Sequence, residues 1–217
     1  MELKANYNRF IRYGLVLIGL AGFVFAIGDA LIPQEGDMFG ATDDPEGFAG
    51  LVTTQNFQFW AMRGLIGVPL EVIGTIALFL GLAGTAGEKG AFWGMILCVL
   101  GDLFGISIFM FAYFIFPEVG SLISAGMETA ASVAAVEQMM PLFGFGMIIT
   151  FIGLILFAAA IWKAPERFPK WSGILAFVGF ALLLIQTSYF IQIFANVLWG
   201  SAYLWMAAYS WNEFSNT

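Results

Sequence analysis

WSGILAFVGFALLLIQTSYFIQIFANVLWGSAYLWMAAYSW, from Trp171 to Trp211, is one apolar stretch of about 40 residues. As a single helix rising ~1.5 Å per residue it would be ~60 Å long, about twice the ~30 Å hydrocarbon core of a bilayer. It therefore reads as two helices. The polar cluster Gln186, Thr187, Ser188 and Tyr189 suits a turn at the membrane interface, although no Gly or Pro marks it. If the chain does not turn there, six spans become five.

Upstream, four more runs reach the ~20 apolar residues that a spanning helix needs. They cover 12–32, 57–84, 92–116 and 141–162, with Pro33 closing the first and Pro117 the third. With 171–187 and 190–211 they predict an all-α, polytopic integral membrane bundle of six transmembrane helices. Residues 1–217 then form a single transmembrane domain with outer loops at 33–56 and 117–140. The first run is longer than the ~7–15 residues of a typical signal core and is expected to stay as an uncleaved anchor.

Composition demands a membrane. Only 11% of the 217 residues are charged and 60% are hydrophobic, whereas ~25% charged is usual. That excludes a soluble globule and a disordered chain. The net charge of -7 argues against nucleic acid as a partner. No histidine is present and Cys98 is the single cysteine. This removes the usual ligands of haem, copper and catalytic zinc, and any internal disulfide. No cofactor and no metal site is expected.

Seven of the eight bases fall on one side of a six-span zigzag: Lys4, Arg9, Arg12, Lys89, Lys163, Arg167 and Lys170. The positive-inside rule makes that side, and both termini, cytoplasmic. The opposite loops hold acids only: Glu35, Asp37, Asp43, Asp44 and Glu46, then Glu118, Glu128 and Glu137. Their spacing matches no EF-hand, so the first outer loop reads as solvated chain. The second has the composition of a short surface helix. Trp93, Trp162, Trp171 and Trp211 mark inner boundaries, and Trp60, Tyr113 and Tyr189 mark outer ones. Tyr13-Gly14, Trp93-Gly94 and Trp171-Ser-Gly173 open the three outward-going helices alike, as a relic of repeated hairpins would.

Four ionisable residues fall inside the spans: Asp29, Arg63, Glu71 and Asp102. Each charge near a helix centre costs ~2.5–3.5 kcal/mol on insertion scales, so they should turn inward. Asp29 and Arg63 share a depth near the outer face and are expected to pair. Glu71 and Asp102 lie near the midplane with no base at their level. Two such carboxylates cannot both stay ionised cheaply, so at least one is expected to hold a proton. Arg63 and Glu71 are separated by ~12 Å along one helix and by about 80° around it, so one polar face can carry both. Thr150, Gln186, Gln192 and Asn196 are candidates to line the same interior. Gly101 and Gly105 form a GxxxG pair beside Asp102, and Pro69 is expected to kink the second span near Glu71.

The segments Arg12-Tyr-Gly-Leu with Gly19-Leu-Ala-Gly22, Met62-Arg63-Gly64, and Arg167-Phe-Pro-Lys-Trp-Ser-Gly-Ile resemble an uncharacterised family of bacterial six-span membrane proteins. The resemblance implies the six-helix topology and carries no activity and no site residues. The expected function is that of a multi-pass inner-membrane protein, with proton-linked transport of a small solute through the polar interior. The alternative is a non-catalytic accessory subunit that binds lipid or a larger complex. An enzyme is the least expected reading.

Overall fold

The computed structural model describes residues 2–31, 38, 40–185 and 189–213. Among them the regular elements are all helices: α1 (Glu2–Leu31), α2 (Pro45–Val52), α3 (Gln55–Leu82), α4 (Glu88–Phe114), α5 (Phe116–Ser124), α6 (Ala130–Glu137), α7 (Met139–Lys163), α8 (Lys170–Ile185) and α9 (Tyr189–Glu213). Five stretches are long and apolar enough to cross a membrane: Asn6–Leu31, Gln55–Leu82, Glu88–Ser124, Ala130–Lys163 and Phe190–Trp211. The sixth apolar helix, α8, has 16 residues, or about 24 Å of rise. The predicted turn at 186–188 lies outside the described residues. Helix α1 begins ten residues before the apolar run does, because Glu, Lys and Arg sustain helical hydrogen bonding well beyond an apolar stretch.

The six long helices close into a ring. α1 packs on α3, α3 on α4, α4 on α7, α7 on α8 and α8 on α9, and α9 returns to α1. Ring neighbours run antiparallel. Asn196 of α9 reaches Asp29 at one end of α1, while Trp211 meets Tyr13 and Arg12 at the other. Phe151 and Trp162 of α7 meet Phe177 and Trp171 of α8 in the same reversed order.

Glycines spaced by seven residues build two of these seams. Gly67, Gly74 and Gly81 of α3 receive Phe25, Ile18 and Ile11 of α1. Gly87, which caps the start of α4, and Gly94 and Gly101 within it face Ala160, Gly153 and Gly146 of α7. Seven residues are nearly two turns, so one face stays free of side chains and backbones approach closely. A Cβ on Gly94 would stand 2.9 Å from the Gly153 carbonyl oxygen. The GxxxG reading is corrected here. Gly101 is at the seam, but a Cβ on Gly105 would meet only Val68, at 3.9 Å.

The described residues of the 33–56 and 117–140 segments form short helices. Asp44 caps α2 by accepting the Gly47 amide. Phe48 and Phe57 pack their rings on Phe116, and Phe48, Leu51, Val52 and Phe116 are buried. α2 and α5 thus pair as a cap, while α6 starts with a reciprocal Thr129–Ser132 capping box. Trp93, Trp162, Trp171 and Trp211 are exposed, as an aromatic belt requires. Trp60 is not a belt residue, being 6% exposed. Pro69 faces outward and α3 runs unbroken through it. In each of the three similar helix openings the aromatic is exposed while the glycine packs on a ring neighbour.

Candidate functional site

The four intramembrane ionisable residues form two centres rather than one cluster. The outer centre joins α1, α3, α4 and α9. Arg63 Nη2 meets Asp29 Oδ1 at 2.5 Å, and Nη1 donates to the Phe25 carbonyl at 2.6 Å. The Trp60 indole N–H donates to Asp29 Oδ1 at 3.2 Å, and Asn196 Nδ2 donates to Oδ2 at 2.7 Å. The guanidinium sits 5.0 Å from the Trp60 ring centre, 5.3 Å from Phe25 and 5.8 Å from Phe109. Such a cation is held by hydrogen bonds and by aromatic faces together. The space exists because Gly28 and Gly64 carry no side chain. A Cβ on Gly28 would collide with the Arg63 side chain, and one on Gly64 with the Phe109 ring.

The second centre lies on the ring axis, where all six long helices contribute to one small cavity. Four of them present residues one turn apart. These are Glu71 and Thr75 on α3, and Cys98 and Asp102 on α4. On the far side they are Thr150 and Leu154 on α7, and Trp199 and Tyr203 on α9. Ile18 and Phe180 complete the wall from α1 and α8. The volume is about 10 Å³, the least that holds one water.

The acids of this cavity lack hydrogen-bond partners among the described residues. Asp102 is 7% exposed and its Oδ2 is buried without a hydrogen bond; so is the indole N–H of Trp199. Among the described residues Glu71 makes no hydrogen bond or ion pair either, though Asp102 and Arg63 lie within reach of its field. Cys98 makes a weak contact, Sγ to the Thr150 carbonyl at 3.8 Å. Among the described residues, no three His, Cys, Asp or Glu side chains converge as a metal site would require.

The Arg63–Asp29 centre stands about two turns from Glu71 along α3. At the other end Phe168, on the linker between α7 and α8, is fully buried. Its ring reaches the opposite side of the ring of helices, where it fills the space left by Gly81 of α3 beside Ile11.

Of the other residues read from sequence, Thr150 lines the axial cavity. Asn196 belongs to the outer centre instead, because its amide completes the shell of Asp29. Gln192 is part-buried and lines neither. Gln186 lies outside the described residues. The sequence reading missed Trp60 as a donor, and Thr75, Cys98, Trp199 and Tyr203 as cavity residues. The spacing held the signal for two of them: Thr75 and Cys98 lie four residues from Glu71 and Asp102, one turn along the same face. Compared with known proteins, the chain matches no protein family, no curated relative and no solved structure.

Proposed function

We propose that this chain is a multi-pass protein of the bacterial inner membrane that crosses the bilayer six times, both termini in the cytoplasm. We propose further that it links the movement of a small solute to a proton held at Glu71, with Asp102 as its partner. The supporting observation is the contrast in hydrogen bonding. Around Asp29 both carboxylate oxygens are partnered, and only the Nε of Arg63 is left without a hydrogen bond. Asp102 Oδ2 is left unsatisfied on the axis, and an orphaned buried carboxylate oxygen calls for an explanation, of which a chemical role or a small ligand is one.

The interior's small volume also favours a second reading, an accessory subunit whose closed bundle binds lipid or a larger assembly. The lone Cys98 separates the two, since it lines the cavity. A charged thiol reagent is added to either side of oriented proteoliposomes at acid and at alkaline pH. The carrier reading expects Cys98 to react from both sides, with a pH dependence beyond that of the thiol in the denatured chain, and expects Glu71→Gln to remove the excess. A Cys98 that reacts only after denaturation, at every pH, overturns it in favour of the accessory reading.

A further inference from the structure

We propose that the axial cavity binds one small alkali cation, Na+ or Li+, between Glu71 and Asp102. This rests on reading that cavity as the working site, and it names the class of solute. Asp102, more than nine-tenths buried, leaves Oδ2 unpartnered on the cavity wall. The Thr75 and Thr150 hydroxyls line the same space. Neither makes a hydrogen bond among the described residues, although a helical Thr commonly donates to the carbonyl one turn back. Two carboxyls and two hydroxyls therefore offer hard oxygen donors around room for one water.

Size and charge select the ion. A volume of about 10 Å³ does not admit an organic solute. It does not admit Mg2+ with its retained waters, and Ca2+ takes six to eight oxygens. A monovalent ion loses far less hydration than a divalent one on entering the bundle. No lysine or arginine lines the cavity to compete for the carboxylates; Arg63 is engaged with Asp29. The Trp199 N–H, a donor, ligates no cation.

Calorimetric titration tests this on the full chain in detergent micelles, at one pH. NaCl is added against choline chloride at constant ionic strength, with LiCl, CaCl2 and MgCl2 in parallel runs. The expected result is a saturable heat for Na+ and Li+ that Asp102→Asn and Glu71→Gln abolish. Thr150→Val, which keeps both acids and the side-chain volume, should weaken it by about tenfold or more. Circular dichroism establishes that each variant is folded; if an acid variant is not, the Thr150→Val comparison decides. No saturable Na+ heat, an unchanged heat in a folded acid variant or in Thr150→Val, or binding of divalent ions alone overturns the proposal. The Cys98 experiment is read separately. PH-dependent access without Na+ binding sinks this inference and leaves the carrier reading standing. Na+ binding with an inaccessible Cys98 does the reverse.

Discussion

The outer centre and the axial cavity both place carboxyls inside an apolar bundle, and they treat them differently. Asp29 receives Arg63, Trp60 and Asn196 and is 4% exposed. Asp102 is almost as deeply buried and receives no one at Oδ2. Both sit on helices whose glycine seams bring backbones into contact, so packing alone does not explain the difference. What differs is the supply of donors at each depth. Around Asp29, α3 supplies a base and an indole and α9 an amide. Around the axial cavity the neighbours supply a second acid, three hydroxyls, a thiol and an indole, and no base or amide among the described residues. One centre locks helices together; the other keeps oxygen atoms available.

The largest effect should come from removing the base of the locked centre. Arg63→Ala leaves Asp29 buried without its counter-charge, and breaking a buried pair in this way costs about 3–5 kcal/mol. Denaturant unfolding in mixed micelles measures it. The double variant Asp29→Leu/Arg63→Met removes both charges and should recover most of that loss. If the single variant loses less than about 1 kcal/mol, the ion pair does not hold α1 to α3 and the contrast above fails.

Next comes Trp60→Phe. It keeps most of the ring packing against Phe57 and Phe109 and deletes one donor to a charged oxygen, a change of about 1.5–3 kcal/mol. The same unfolding assay reads it. A neutral result would return Trp60 to the role of an interface aromatic.

A seam variant tests whether the shared scaffold is as tight as the glycines imply. Gly153→Val drives a branched side chain into Cys98 and the Gly94 carbonyl, where a Cβ would already stand 2.7 and 2.9 Å away. Overpacking of this kind costs about 1–3 kcal/mol. Gly105→Ala, facing only Val68, should instead stabilise α4 by about 0.5–1 kcal/mol. Equal effects at the two sites would mean that the α4–α7 seam yields.

These sites differ in how openly the sequence displayed them. Hydropathy marks the long helices because lipid leaves the backbone no partner but itself. Depth counted along two helices is enough to bring Asp29 to Arg63. The rest needed three dimensions. Trp60 lies near a membrane boundary, where indoles gather, and nothing in one dimension says that its N–H turns inward. Asn196 and Gln192 are one turn apart, yet the ring tilts only Asn196 to Asp29. The heptad glycines at 67, 74 and 81 and at 87, 94 and 101 were legible in the sequence, hidden among 26 glycines by a rule that looks for a spacing of four. A short helix was legible in the second loop, where α5 and α6 form, but α2 escaped because it is too short to announce itself, and the burial of α2 and α5 comes from pairing with each other.

The smallest expected effect is the one that decides the comparison. Asp102→Asn and Glu71→Gln replace acids that hold no protein partner, so no donor is orphaned by the change. Each should shift unfolding stability by less than about 1 kcal/mol, in the assay where Arg63→Ala is severe. A small structural effect joined to lost pH response at Cys98 is the signature of groups kept for binding rather than for packing. A loss at Asp102→Asn as large as that at Arg63→Ala would mean the opposite. The axial acid would then be holding the ring closed, through a water that fills the cavity and bridges Asp102 to the hydroxyls around it. Both centres would be locks, and the accessory-subunit reading would take precedence over the carrier.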